Sequence, residues 1–354
     1  MNKTILVTGA SGTVGSCVVS LAEAAGYRVV ASDLRQAGVP VPLRGEVRAA
    51  DLTAPEAADY VVRGVDAVIH TAAQLDARAN TGDLARINTD AVVDLYRAAT
   101  RAGVSRFVHM STATLYGHST GSPLDETAAL RPRGAYGLSK HAAEVFLREQ
   151  RQGPDWTIVR AAPLYGRRGR HFAASLLVVG PILRLLSPWL PRLRGGTRAQ
   201  MVHAEDVARA LLFLLEHPEA KGQVFNVADE DALPLGERLR TTFLLYGLHV
   251  RGDVTLQPRC LQHLSAFGQR PLPYQGLDAA LLAAWKTVIW RHQLKPALRP
   301  RLDRESLMLM QEDLPINAAR LRALGWRPRF PRFESGWAEV LRWYQAEAWV
   351  PRYA

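Results

Sequence analysis

Residues Thr8-Gly9-Ala10-Ser11-Gly12-Thr13-Val14-Gly15 close a short apolar run, Thr4–Thr8, and open a helical pattern over 14–25. Few other segments restrict the fold of a 354-residue chain so tightly. Gly9 permits a tight turn, Gly12 lets backbone approach a pyrophosphate, and Gly15 allows close packing of the following helix. The start of that helix leaves amide groups that suit phosphate oxygens. The first two glycines are spaced one residue differently from the usual dinucleotide fingerprint. Their placement between a strand and a helix, at the head of the chain, is what gives them weight.

Downstream, short apolar runs alternate with helical stripes, which reads as parallel βαβ units. Expected strands are Thr4–Thr8, 28–32, Glu46–Ala49, Ala67–His70, 106–110 and 157–160. A helix over Ala204–Glu216 then leads to one more strand at 223–226. The helix expected over 88–102 carries Val92, Val93, Leu95 and Tyr96 as its apolar stripe. The fold class is therefore α/β, a doubly wound parallel sheet of the Rossmann type with a smaller C-terminal substrate lobe. The chain is expected to leave the sheet near Gly166, return near Val202 and leave again after Ala228. That assigns residues 1–165 and about 201–229 to the dinucleotide domain, and 166–200 with 230–354 to the lobe and tail.

The formal charge of +11 is carried almost wholly by arginine, clustered at 167, 168 and 170, at 192, 194 and 198, and at 291, 299 and 301. A nucleic-acid binder would show a compact basic face with stacking aromatics, and none is visible. Dispersed basicity is the plain reading, and a surface for anionic lipid or an acidic substrate is the alternative. Cys17 and Cys260 match no metal or redox spacing, so free thiols in a reducing, cytoplasmic setting are expected, with no metal site. The run before Gly9 is too short for the apolar core of a signal peptide. The longest apolar stretch, 172–183, contains Gly180 and Pro181 and is too short to span a bilayer.

Tyr136 and Lys140 lie at i and i+4, so on a helix both side chains face one pocket. A phenol with a pKa of ~10 is a poor base at neutral pH, and a neighbouring cation favours the phenolate. Asp33 ends the second strand, eighteen residues after Gly15, where a carboxylate accepts ribose hydroxyls of NAD and repels a 2′-phosphate. Arg35, close by, would favour NADP instead; NAD is the expectation. Asp51 could meet the adenine amine or simply cap a helix.

Together the glycine turn, Asp33, Asp51-Leu52, His70-Thr71-Ala72-Ala73, Asn88, Ser111-Thr112-Ala113-Thr114-Leu115-Tyr116-Gly117 and Tyr136-Gly137-Leu138-Ser139-Lys140 resemble the extended short-chain dehydrogenase/reductases. These include NAD-dependent epimerases, dehydratases and 3β-hydroxysteroid dehydrogenases. The resemblance runs from residue 1 to about 228 and resumes weakly over 321–328. It implies that Thr112 hydrogen-bonds the reacting oxygen and that Tyr136 is the acid/base. Lys140 would hold the nicotinamide ribose and favour the phenolate. Ser11, Thr13, Val14, Leu52, Thr71, Ala72, Ala73, Asn88 and Pro163 would line or brace the cofactor site, and Gln74, Ala113 and Thr114 the substrate site. Thr112 also reads as a strand-end hydroxyl serving local backbone. His70 reads as a core residue and His141 as a helix-surface one. The family leaves a homodimer open.

Three departures bear on the substrate. Ala113 and Thr114 stand where sugar-nucleotide dehydratases carry an Asp and a Glu, so the elimination lacks its acid/base pair. Pro163 stands where sugar-nucleotide epimerases carry an Asn, removing an amide and a backbone N–H. The stretch 171–193 is apolar, and 277–294 places Leu281, Leu282, Trp285, Val288 and Ile289 on one helical face. Core packing accounts for such stripes; an apolar pocket with a mouth on a membrane through Trp285 and Trp290 is the sharper reading. The expected activity is an NAD-dependent interconversion of a secondary alcohol and a ketone on a largely apolar small molecule, nearest the 3β-hydroxysteroid group. A nucleotide-sugar epimerase with the same triad is the alternative.

Overall fold

The computed structural model describes residues 3–35, 38–40, 42, 44–75, 81–117, 123–169, 172–268, 270–298, 300 and 312–353. Arg170, His171, Arg299 and Arg301, named above, lie outside the described residues. Six strands form in order: β1 (Thr4–Thr8), β2 (Arg28–Asp33), β3 (Glu46–Ala49), β4 (Ala67–His70), β5 (Arg106–Thr112) and β6 (Asp155–Ala161). Short pieces follow: β7 (Leu164–Tyr165), β8 (Leu190–Gly195), β9 (Arg198–Ala199) and β10 (Val202–His203). The strand β11 (Gln223–Val227) then completes a seven-stranded sheet of order β11-β6-β5-β4-β1-β2-β3, parallel throughout.

Why β1 lies in the interior of the sheet is clear from its side chains. Ile5 and Val7 enter one core and Leu6 the opposite one, so both faces of the strand are apolar. The helices α1 (Gly15–Ala24) and α7 (Ala204–Glu216) cover the first face. Against the second pack α2 (Ala57–Val61), α4 (Ala91–Arg101) and α5 (Gly134–Glu149); α3 (Thr81–Ala85) is a short turn before α4. The strand order reverses between β1 and β4. In open α/β sheets the crevice over the carboxyl ends at such a reversal is where ligands bind.

Expected strands are all present, and four are longer than their apolar runs, because the ladder continues through Asp33, Ser111-Thr112, Asp155-Trp156, Ala161 and Val227. The helix expected over 88–102 differs more. Arg86–Asp90 forms a π turn, and regular helix starts at Ala91. Such turns are often associated with a functional side chain, and this one contains the fully buried Asn88.

A buried pair fastens the sheet's far side. Arg160 on β6 meets Glu144 on α5 at 2.6 Å, and its Nη1 donates to the Tyr116 hydroxyl at 3.0 Å. Tyr116 in turn donates to Asn226 Oδ1 on β11 at 2.8 Å. Each polar atom gains a partner, which is what makes burial of charge tolerable.

A separate apolar core is built from α6 (Phe172–Leu186), α8 (Leu235–Leu245), α9 (Pro258–Gly268), α10 (Pro271–His292) and the C-terminal helix Phe333–Ala346. Here the two apolar stripes are spent on packing. Trp285 and Val288 are fully buried, and Trp285 Nε1 donates to the Leu298 carbonyl at 2.8 Å. Trp285 is thus no membrane contact, whereas Trp290 is 82% exposed. Helix α6 continues through Pro181; a Cβ on Gly180 would stand 3.0 Å from Phe243 and Leu248. Among the described residues no helix is long and apolar enough to cross a membrane. Cys17 and Cys260 are free thiols.

Candidate active site

Two contiguous cavities follow the carboxyl ends of the central strands. One, of about 320 Å3, is lined by Gly9, Ser11, Asp33, Asp51, Leu52 and Gln74 among others. The other, of about 780 Å3, shares the glycine turn and runs past Thr13 and Gly15 to Tyr136.

The turn is compressed backbone. Gly9 has φ +67°, and a Cβ there would lie 2.7 Å from the Ala72 amide nitrogen. A Cβ on Gly15 would lie 2.1 Å from the Gly9 carbonyl oxygen. Gly15 is therefore dictated by the turn itself, and not by helix packing as the sequence suggests. Thr71 Oγ1 donates to the Thr8 carbonyl at 2.7 Å, pinning residues 71–73 beside the turn. No side chain caps α1, and its first turn has no acidic residue. By contrast α7 is capped by His203 and carries Glu205 and Asp206. An uncapped helix start facing a cavity suits an anion.

Asp33 stands at the edge of the smaller cavity. Its Oδ2 accepts from Ser11 N at 2.9 Å and Ser11 Oγ at 2.7 Å, and Oδ1 accepts from Leu34 N at 2.8 Å. A carboxylate so held keeps lone pairs for ribose hydroxyls. Asp51 serves its own turn, accepting from Thr53 N at 2.9 Å, while also lining that cavity. Arg35 is exposed and lines neither cavity. The donors, the glycine cradle and the acidic edge together fit a dinucleotide.

At the other end, Tyr136 and Lys140 share one face of α5, and Tyr136 is half-buried in the larger cavity. Lys140 is fully buried beneath. Its Nζ donates to the Met110 carbonyl at 2.7 Å and lies 3.2 Å from His109 Nε2. The His109 ring stacks on His70 at 5.4 Å between centroids, and His70 Nδ1 meets Thr8 Oγ1 at 2.8 Å. Burial pulls the Lys140 ammonium down to about 7, partly offset by Glu144. Burial and the Lys140 charge bring His70 down to about 3, and hold His109 well below the usual range. Both imidazoles are thus neutral acceptors or donors, and His109 can receive a hydrogen bond from the ammonium.

Asn88 braces this end. Its Oδ1 accepts from Gln74 N at 2.8 Å, while Nδ2 donates to the Gln74 carbonyl at 2.9 Å and to Ser139 Oγ at 3.0 Å. Ser139 Oγ donates on to the Tyr136 carbonyl at 2.9 Å, so the start of α5 is locked to the 71–75 loop. Thr112 ends β5 and caps the 3₁₀ turn Ala113–Tyr116: Oγ1 accepts from Thr114 N at 3.2 Å and lies 3.0 Å from Thr114 Oγ1. Ala113 is fully buried. Thr112, Ala113, Thr114 and Pro163 line neither cavity; Leu164 does, and the Pro163 carbonyl accepts from Val202 N. Sequence reasoning missed His109, whose only signal is its place in β5. It also missed Arg168, Trp343, Glu347 and Trp349, which wall the larger cavity.

Against this geometry, the sequence profile of the NAD-dependent epimerase/dehydratase family matches residues 5–228. The chain belongs to that family. It is accordingly an NAD(P)-dependent enzyme of the short-chain dehydrogenase/reductase type, and NAD is its cofactor. UDP-glucose 4-epimerase of Vibrio cholerae is 29% identical over 253 residues, 68% of this chain and 75% of that one. The 2'-dehydrokanamycin reductase of Streptomyces kanamyceticus is 32% identical over 66% of this chain and 64% of its own length. Among the relatives, an uncharacterized Sinorhizobium fredii protein is matched over only 52% of its length. The solved Thermus thermophilus UDP-glucose 4-epimerase in complex with NAD has TM-score 0.68 at 22% identity, covering 96% of this chain and 99% of that chain. It shares the fold.

Proposed function

We propose that this family member interconverts a secondary alcohol and a ketone, with Tyr136 as the acid/base, on a substrate presenting an apolar face. The observation that carries the reading is the single cavity joining the glycine turn to Tyr136, whose lining includes the apolar side chains of Leu75, Met110 and Leu164. NAD, when bound, supplies the two-electron oxidation or reduction of the carbinol carbon. Tyr136 takes the proton from the carbinol oxygen in one direction and returns it in the other. Lys140, cationic beneath it, favours the phenolate, and neutral His109 keeps the ammonium in place. Thr112 Oγ1 would orient the reacting oxygen if it turned from Thr114. Asp33, through the ribose, would select NAD over NADP. In this reading residues 1–165 with about 201–229 hold the dinucleotide, and 166–200 with 230–354 hold the substrate.

A nucleotide-sugar epimerase is the second reading, favoured by the UDP-glucose 4-epimerase of Vibrio cholerae. Thr112, Tyr136 and Lys140 would then handle the proton of a sugar hydroxyl, first taken and later returned after rotation, with bound NAD supplying the oxidation and the reduction. The test is to follow absorbance at the reduced-cofactor band with a hydroxysteroid, a long-chain secondary alcohol and UDP-glucose. Accumulating NADH with an apolar alcohol supports the first reading. Turnover of UDP-glucose without NADH replaces it. A peripheral membrane contact would rest on Trp290 and on Leu186, 83% exposed; unchanged co-sedimentation of Trp290→Ser with anionic vesicles removes it. A homodimer would use α5, where Leu138 and Val145 are exposed, and sedimentation equilibrium decides it.

A further inference from the structure

The turn after β7 carries two neighbouring arginines with different tasks. Arg167 pairs with Glu339 on the C-terminal helix. Arg168 has φ +63°, a conformation rare for residues with a side chain, and it faces the larger cavity. Its Nη1 reaches the Gly38 carbonyl, on the far bank beyond β2, at 3.4 Å. The turn itself cannot move far. A Cβ on Gly166 would stand 2.6 Å from Ala204 Cβ and 3.2 Å from Thr13 Cγ2, and Tyr344 donates from its hydroxyl to the Gly169 carbonyl. Arg168 is therefore held on the wall of the groove that it shares with Thr13, Val14 and the glycine turn.

Among the described residues no carboxylate pairs with Arg168, and its one recorded hydrogen bond is long. A guanidinium has five N–H donors in a fork that matches phosphate oxygens. Glu347, on the same groove, is drawn aside toward Lys295 at 3.7 Å.

We propose that Arg168 is a latch for the dinucleotide's diphosphate: the guanidinium leaves the Gly38 carbonyl and clamps the phosphates against the Gly12–Gly15 amides. This rests on the dinucleotide reading above. It makes a residue of the excursion from the sheet, anchored by the C-terminal helix, part of the cofactor site. A diphosphate could also come with a nucleotide substrate; the groove Arg168 shares with Gly12–Gly15 and its contact with Gly38 assign it to the cofactor.

The test is calorimetric binding of NAD, ADP, adenosine and UDP to the full chain and to Arg168→Ala and Arg168→Gly. Gly accepts the positive φ without strain, so a loss shared by both variants belongs to the guanidinium. Affinity for NAD and ADP should fall ~10–100-fold in both, adenosine should be unaffected, and the loss should shrink at high salt. Unchanged ADP and NAD affinity in the variants overturns the latch while leaving the dinucleotide reading intact. A loss confined to UDP overturns it in favour of a substrate diphosphate. A wild-type chain that binds neither NAD nor ADP brings down the dinucleotide reading, and the latch with it.

Discussion

The two ends of the groove are built from different materials. At the glycine end nearly everything is backbone: Gly9, Gly15, residues 71–73 and the open start of α1 press together with no room for a side chain. At the tyrosine end the structure depends on buried side chains, with Lys140, His109, His70 and Asn88 each held by polar contacts in a dry setting. Backbone geometry tolerates nothing and responds to nothing. A buried ammonium beside neutral imidazoles responds to pH, to cofactor charge and to single-atom changes. The comparison teaches that binding at one end can be rigid while the chemistry at the other is adjustable.

The contrast breaks most visibly at Tyr136. Tyr136→Phe should lose ~10²–10⁴-fold in kcat/KM with NAD affinity nearly kept, measured by initial rates and calorimetry. Retained rate would strip the tyrosine end of its chemistry. Next in size, Gly15→Ala puts a methyl 2.1 Å from a carbonyl oxygen. Relieving that overlap costs about 1–3 kcal/mol, so NAD binding should weaken about tenfold or more. Unchanged affinity would show that the turn yields after all.

His109→Phe sharpens the other side. Without its acceptor, the ammonium is less favoured and its pKa falls below the present value of about 7. Activity should drop about tenfold, and the high-pH limb of kcat/KM should move toward acid, while His109→Gln keeps the limb in place. An unmoved limb in the Phe variant would disconnect His109 from Lys140.

The last effect is on stability. The folded pKa of Lys140 is lowered to about 7, below an unfolded value of ~10.4, so the unfolded chain binds more protons between these limits. Stability should therefore rise from pH 7 toward 10, by at most about 1.4 kcal/mol per pH unit. Urea midpoints at pH 7 and 9 should show the rise in the wild type, and less of it in Lys140→Met. For His70, lowered to about 3 from ~6.5, the same reasoning predicts stability lost as pH falls through that window.

The glycine end was legible because backbone constraints leave few residue choices: Gly9 and Gly15 announce themselves, and Asp33 follows at a fixed strand length. Tyr136 and Lys140 were legible through helical spacing. His109 was not, since a histidine in an apolar strand looks the same whether it packs or accepts a hydrogen bond. The apolar stripes around 176–178 and 281–289 read equally as pocket or core, because periodicity shows that a face is covered and not what covers it. Trp343, Glu347 and Trp349 lie more than two hundred residues beyond Tyr136, a separation at which sequence carries no distance.

The outermost strand of the sheet, β11, pairs with β6 only after an excursion of some sixty residues. During synthesis the rim of β6 therefore waits, with its amides and carbonyls unpartnered, until residue 227 has left the ribosome. Long-range pairing of this kind is slow and exposes a template for unwanted association. Truncation before β11, or a stall within the excursion, should thus yield aggregates and not a smaller working sheet.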